Sequence, residues 1–478
     1  MNALSNKSRI FLNSIIVTSA TIADKVIFLF ITIIIARHLS VEHYGEYTTA
    51  LGYATFFAAC TNLGINQVLV RHINLFPAKE KIHFANSLVF KLWVCAIAFI
   101  IMIAMLPITG YNRSIIYLIF ILAFVRFGTE FQRVFYTFYE AKEKFSTSSS
   151  FTNLFSISLL LVTFAATTLD GDYYAISFSR LALVVLFLTA LFIFTQKKYN
   201  AVSIKTENLK GFITESIPFG LTTILQQNVI GNINLLIISI VLGSIYSGLF
   251  NNALVFFKVF FFIPGSISIV ILPFLYKQQF NQEMEKYNFS YNYINKILGI
   301  LSFYIFLIFY LFAEEILTLV FGAKYIKSVP MLKILILAIP FVFNIGNIII
   351  TALNRQVIVT WIYFFAAIIN VIGCIILTKF LGLTGASLSI VSAYFFIFIA
   401  STLYLKYIHA IDITPTIIAY VKLTFITLFL IFIHSFEFMN NMHWMVQAII
   451  ISILYCIMLF VLIIRRNDIR IVREVLKI

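Results

Sequence analysis

The sequence predicts an all-α polytopic membrane protein with about 14 transmembrane helices, and three observations carry that expectation. First, 61% of the 478 residues are hydrophobic and only 11% are charged, whereas soluble domains carry about 25% charge. Second, the apolar residues fall in long uniform runs rather than in the short alternating segments of a membrane barrel. Third, a few charges lie deep inside those runs, where a charge costs several kcal/mol unless it meets a polar cavity or a partner.

A membrane-crossing helix needs about 20 apolar residues. Runs of that kind occupy approximately residues 10–36, 47–70, 86–107, 115–137, 149–169, 174–195 and 214–242 in the first part of the chain. They continue at 247–273, 296–313, 330–353, 358–379, 385–405, 417–436 and 444–464. The first run, Ile10 to Ala36, exceeds a signal-peptide core and reads as an uncleaved helix. Proline and glycine interrupt several runs (Pro218 with Gly220, Pro264 with Gly265, Pro273, Pro340, Gly346) and predict kinks.

The charge balance is basic, 34 Lys and Arg against 19 Asp and Glu. No soluble module offers a basic face to a nucleic acid. Placing the N-terminus in the cytoplasm puts 21 Lys and Arg on the cytoplasmic side, including the tail 465–478. Only Arg37, Arg113, Lys324, Lys327 and Lys379 then lie opposite. This positive-inside bias predicts both termini inside.

Metal and cofactor chemistry has no motif. Cys60, Cys95, Cys374 and Cys456 are mutually distant in apolar runs, and the seven histidines show no HExxH spacing. No GxxxxGK[ST] phosphate loop is present. No cofactor, metal or nucleic-acid partner is expected.

A gapless shift of 203 positions places Ile34, Ile35, Leu39, Gly45, Ala50, Leu51 and Phe57 on Ile237, Ile238, Leu242, Gly248, Ala253, Leu254 and Phe260. In each copy a turn (Tyr44-Gly45, Ser247-Gly248) recurs between two long spans. Both copies start on the same side, so the repeat is parallel, an arrangement used by transporters with a central site between halves.

Arg126, Glu130 and Arg133 lie in the fourth run and point within about 60° of one another on a helix. Glu130 has the spacing to pair with either arginine. Two readings follow: a self-neutralising ladder, or a cavity wall with surplus positive charge suited to phosphate. Asp24, Lys25, Arg180 and Lys258 are the other deep charges. Asp24 and Lys25 diverge by about 100° and cannot both point squarely at one axis, so an inter-helix pair is expected for one of them. The seven residues together carry a net charge of +3, which suits an anion better than a cationic drug. Lys91, Lys333 and Lys422 are expected to snorkel from span ends.

The chain resembles the Wzx-type polysaccharide (O-antigen) flippases of the multidrug/oligosaccharidyl-lipid/polysaccharide exporter superfamily. The resemblance lies in IIIARHLSVEHYGEY (33–47), TNLGINQVLVR (61–71), YEAKEKF (139–145), ESIPFGLTTIL (215–225), NLLIISIVLGSIYSGLFNNAL (234–254), LVFGAKYIKSVPMLKIL (319–335) and FLGLTGASLSIVSAYFF (380–396). It implies two six-helix lobes around a central cavity (1–205 and 206–410), a helix pair (411–464) and the basic tail (465–478). It also implies an undecaprenyl-pyrophosphate-linked oligosaccharide moved between leaflets of the bacterial inner membrane by alternating access. Lys25, Arg126, Arg133, Arg180 and Lys258 would bind the substrate, with Asp24 and Glu130 as pairing or coupling residues. Membrane lipids, a polysaccharide polymerase and a chain-length regulator are the expected partners. Asn62 and Asn234 stand where the family often has Asp, which puts cation coupling in doubt.

A lipid II flippase or a drug/cation antiporter of the same superfamily is the alternative. A membrane polymerase or glycosyltransferase is disfavoured, because the outer loops are short and Glu314-Glu315 is their one adjacent acidic pair.

Overall fold

A computed structural model describes residues 2–201, 205–225, 230–267, 271, 275, 284–409 and 411–464. The tail 465–478, Pro273 and Lys277 lie outside the described residues. Among the described residues the regular elements are all helical, and 12 helices are long and apolar enough to cross a membrane.

Two of the expected spans are each built from two shorter helices. The run 47–70 becomes α2 (Val41–Ala59) and α3 (Ile65–Leu75). Gly64 breaks it at φ +76°, a left-handed backbone where a side chain would also strike Ser216 O and Gly220 N. The run 214–242 becomes α8 (Leu209–Ile224) and α9 (Ile233–Val241).

By packing, the chain divides into two compact units. The lobes 1–205 and 206–410 are a division by sequence repeat. Packing instead groups Met1–Phe262 with Thr360–Ala393, and Ile263–Val359 with Tyr394–Ile478.

In the first unit, α1 (Asn2–His38) runs along α6 (Phe145–Thr168), and α5 (Arg113–Ala141) packs against α2 and α7 (Tyr173–Tyr199). Polar side chains start the helices locally. Ser40, Asn112 and Asp172 accept the first free amides of α2, α5 and α7. Helix α4 (Glu80–Thr109) is tied to α5 at one end by Glu80 and Lys142, 2.8 Å apart.

The repeat copies meet in this unit. Helix α10 (Ser244–Val259) lies against α2, and Gly45 faces Gly248, its counterpart under the 203-residue shift. A Cβ on Gly45 would lie 2.6 Å from Ser244 O, and one on Gly248 would lie 2.9 Å from Gly45 Cα. Only glycine admits this approach. Beside it Tyr44 Oη donates to Asn252 Oδ1 at 2.8 Å and accepts from Asn251 Nδ2 at 3.0 Å.

The second unit holds α11 (Met284–Leu311), the short helices α12 (Ala313–Phe321), α13 (Val329–Leu335), α14 (Ile339–Val342) and α15 (Gly346–Ala352), and the end of α17 (Leu383–His409). Helix α16 (Gln356–Leu381) lies largely in the first unit. The expected span 330–353 is segmented because Pro330 and Pro340, which lack an N–H, each start a new helix. Asn295 Oδ1 on α11 then accepts the Ile345 amide at 3.0 Å.

Helix α18 (Thr414–His434) packs between α11 and α19 (Trp444–Leu462). Asn292 of α11 caps it from a distance. Its Oδ1 accepts from Thr416 N at 3.1 Å and Thr416 Oγ1 at 2.7 Å, and its Nδ2 donates to Asp412 O at 2.7 Å. Replacing Asn292 by Leu should therefore cost about 1–3 kcal/mol. The purified protein in detergent should melt at lower temperature, and an unchanged melt would contradict this cap.

Candidate functional site

Within the first unit, α1, α2, α5, α6, α7 and α10 enclose a cavity of about 500 Å³. Asp24, Lys25, Arg126, Arg133, Arg180 and Lys258 all line it. Six of the seven deep charges in the sequence thus converge on one space from four helices. Five cations and one carboxylate give the wall a net charge of +4. Glu130 is not among the lining residues.

Repeat symmetry builds two walls. The 203-residue shift carries Thr48, Gly52 and Thr55 of α2 onto Asn251, Val255 and Lys258 of α10, and all six line the cavity. Equivalent positions therefore face inward in both copies, but only the second copy supplies a cation.

Each charge is held differently. Asp24 Oδ1 accepts from Ser156 Oγ on α6 at 2.5 Å, and Lys25 Nζ reaches back to Asp24 at 3.7 Å. The inter-helix partner expected for one of this pair thus belongs to Asp24. Lys258 Nζ donates to Asn232 Oδ1 at 2.7 Å. Arg180, only 4% exposed, donates to Tyr47 Oη with its guanidinium 6.0 Å from the Tyr47 ring centre. Arg133, half exposed, contacts Glu140 at 3.4 Å.

The Arg126-Glu130-Arg133 ladder expected from helical spacing does not form. Glu130 turns instead to Lys91 on α4, at 3.1 Å. Lys91 does not snorkel: it is 2% exposed and also donates to Thr61 O at 3.2 Å and Thr61 Oγ1 at 2.9 Å. The break between α2 and α3 is the physical reason, because it leaves the Thr61 carbonyl outside a helix and available as an acceptor. Arg126 is left with no side-chain hydrogen bond or ion pair among the described residues, and its Nε is buried without a partner.

The positions noted for missing carboxylates are neutral here. Asn234, fully buried, forms a reciprocal amide pair with Asn370 (3.2 and 2.8 Å), and its Nδ2 also donates to Ser389 Oγ at 3.0 Å. Asn62 accepts from Asn66 at 3.4 Å. Among the described residues no group of three or more His, Cys, Asp or Glu is placed to hold a metal ion.

The lining is suited to an anion with several oxygens. Guanidinium and ammonium groups from separate helices can bind different oxygens at once, as charge-assisted hydrogen bonds. Thr129, Gln132 and Tyr136 add neutral polar groups.

Comparison with known proteins adds to this geometry. Residues 34–330 match the family described as "Polysaccharide biosynthesis protein". No curated protein matches. Among solved structures, the fold is similar to lipid II flippase MurJ in an inward closed conformation. The TM-score is 0.73 at 12% identity, over 93% of this chain and 98% of that one. It is also similar to a multidrug resistance MATE family transporter of the MOP superfamily. The inward-facing form gives a TM-score of 0.66 at 16% identity over 84% and 99% of the two chains. The outward-facing form gives 0.60 at 16% over 85% and 97%.

Proposed function

Because the chain belongs to the polysaccharide biosynthesis protein family, whose members are Wzx-like flippases of the MOP superfamily, we propose that it flips an undecaprenyl-pyrophosphate-linked oligosaccharide across the bacterial inner membrane. The moved unit is an O-antigen, capsule or exopolysaccharide repeat. The observation that carries this reading is the +4 cavity wall built from membrane-spanning helices.

Crossing is slow without help, because sugar hydroxyls and two phosphates would enter hydrocarbon undressed. Cations in a hydrated cavity supply the interactions that the headgroup loses from water, while the prenyl tail stays in lipid. The reading is one of transport, with no bond made or broken. Lipid II carries the same prenyl-pyrophosphate, and the fold likeness to MurJ makes it the second candidate. The family match favours the polysaccharide precursor. A polymerase and a chain-length regulator are the partners that would take the flipped unit.

The loop charges support an orientation with both termini in the cytoplasm. The Gly45–Gly248 contact then lies at the outer ends of α2 and α10. Separation of this contact would open the cavity outward, completing alternating access.

Replacing Arg126, Arg133, Lys25 or Lys258 singly with Ala removes one charge-assisted contact, worth about 1.5–3 kcal/mol. Headgroup affinity should then fall roughly tenfold to a hundredfold. Surface polysaccharide in a flippase-null host should drop accordingly. Full export by all four variants at normal protein levels would sink the cationic-cavity reading. Gly45→Leu should bar the outer contact and hold the cavity open to the outside. In a cysteine-free background carrying Thr48→Cys, a membrane-impermeant thiol reagent added outside should then label faster than without the Leu. Equal labelling would refute the gate.

A further inference from the structure

Lys91 is not among the residues that line the cationic cavity, yet it contacts a carboxylate beside it. It sits on α4 at 2% exposure, fixed by two hydrogen bonds to Thr61, with its ammonium 3.1 Å from Glu130 Oε2. Glu130 lies one helical turn beyond Arg126 on α5. Residues at that spacing are neighbours on a helix surface, and Glu and Arg there pair readily. In this chain they do not. The carboxylate is held by Lys91, and Arg126 faces the cavity with no side-chain hydrogen bond or ion pair among the described residues.

We propose that Lys91 is a positioning residue for headgroup binding: by holding Glu130 it keeps that carboxylate off Arg126, so that Arg126 stays available for a phosphate. This deepens the flippase reading and rests on it. Asp24, the one carboxylate among the residues lining the cavity, is likewise held by Ser156 and Lys25.

The α2–α3 break gains a role from this arrangement. The Thr61 carbonyl can accept from Lys91 because the helix ends before it. A continuous helix across residues 59–65 would return its carbonyl to the backbone ladder and loosen Lys91 from its seat.

The test uses the full-length protein in lipid nanodiscs, with geranyl pyrophosphate as the titrated probe. Lys91→Met should weaken binding about tenfold or more, matching Arg126→Ala, because Glu130 turns to Arg126. Adding Arg126→Ala to Lys91→Met should then cost little further. Lys91→Met combined with Glu130→Gln should return affinity to within about threefold of the parent, and Lys91→Arg should bind as the parent does.

Should Lys91→Met fail to fold, Lys91→Gln keeps a hydrogen bond to Thr61 without the charge and should show the same loss. Parent-like affinity in either folded single variant, with only a lower melting temperature, overturns the proposal and leaves Lys91 a structural residue. If Arg126→Ala weakens binding and Lys91→Met does not, this inference alone fails. If Arg126→Ala leaves binding unchanged, this inference falls, and the cationic-cavity reading falls with it when the Ala variants of Lys25, Arg133 and Lys258 also bind as the parent does.

Discussion

Everything distinctive in this chain follows from one constraint: a charge inside membrane-spanning helices must be paired, hydrogen-bonded or wet. The first unit meets it in three ways. Lys91 and Glu130 neutralise each other beside the cavity. Arg180 and Lys258 are held by the neutral oxygens of Tyr47 and Asn232, which satisfy hydrogen bonds without cancelling charge. Arg126 is held by no side chain among the described residues and depends on what enters the cavity. Lys25 and Arg133 stand within ion-pair distance of Asp24 and Glu140, so the surplus that a phosphate-bearing substrate can use rests on Arg126, Arg180 and Lys258.

The repeat shapes the same space. Gly45 and Gly248 bring α2 and α10 together so closely that no side chain fits between them. Farther along the same pair of helices, equivalent positions line the cavity in both copies. The two segments related by the 203-residue shift thus supply both this close contact and two walls of the cavity. The copies differ where chemistry differs, as Thr55 in the first becomes Lys258 in the second.

Much of this was legible in the chain before folding. Apolar runs, loop charges and the 203-residue shift depend on residue type and spacing alone, and they located the membrane helices, the repeat and six charges that share one cavity. The pairing of those charges was not legible. Helical spacing joins Glu130 to Arg126 or Arg133 equally well, and nothing local reveals a lysine on another helix at 3.1 Å. Lys91 was misread as a snorkelling residue for the same reason. Its burial depends on an acceptor freed by a helix break at Gly64, and an apolar run hides such a break. Asn292 of α11 teaches the same lesson, since the α18 end that it caps stands more than a hundred residues away in sequence.

Comparing two lipid-linked cargoes in proteoliposomes would test the central claim most directly. Both carry the same oligosaccharide, one on prenyl pyrophosphate and the other on an uncharged prenyl glycoside. If the cationic cavity reads the headgroup, the pyrophosphate cargo should flip at least about tenfold faster, the rate difference for one charge-assisted contact. Raising the salt concentration should narrow that gap. Equal rates for the two cargoes at low salt would contradict the account.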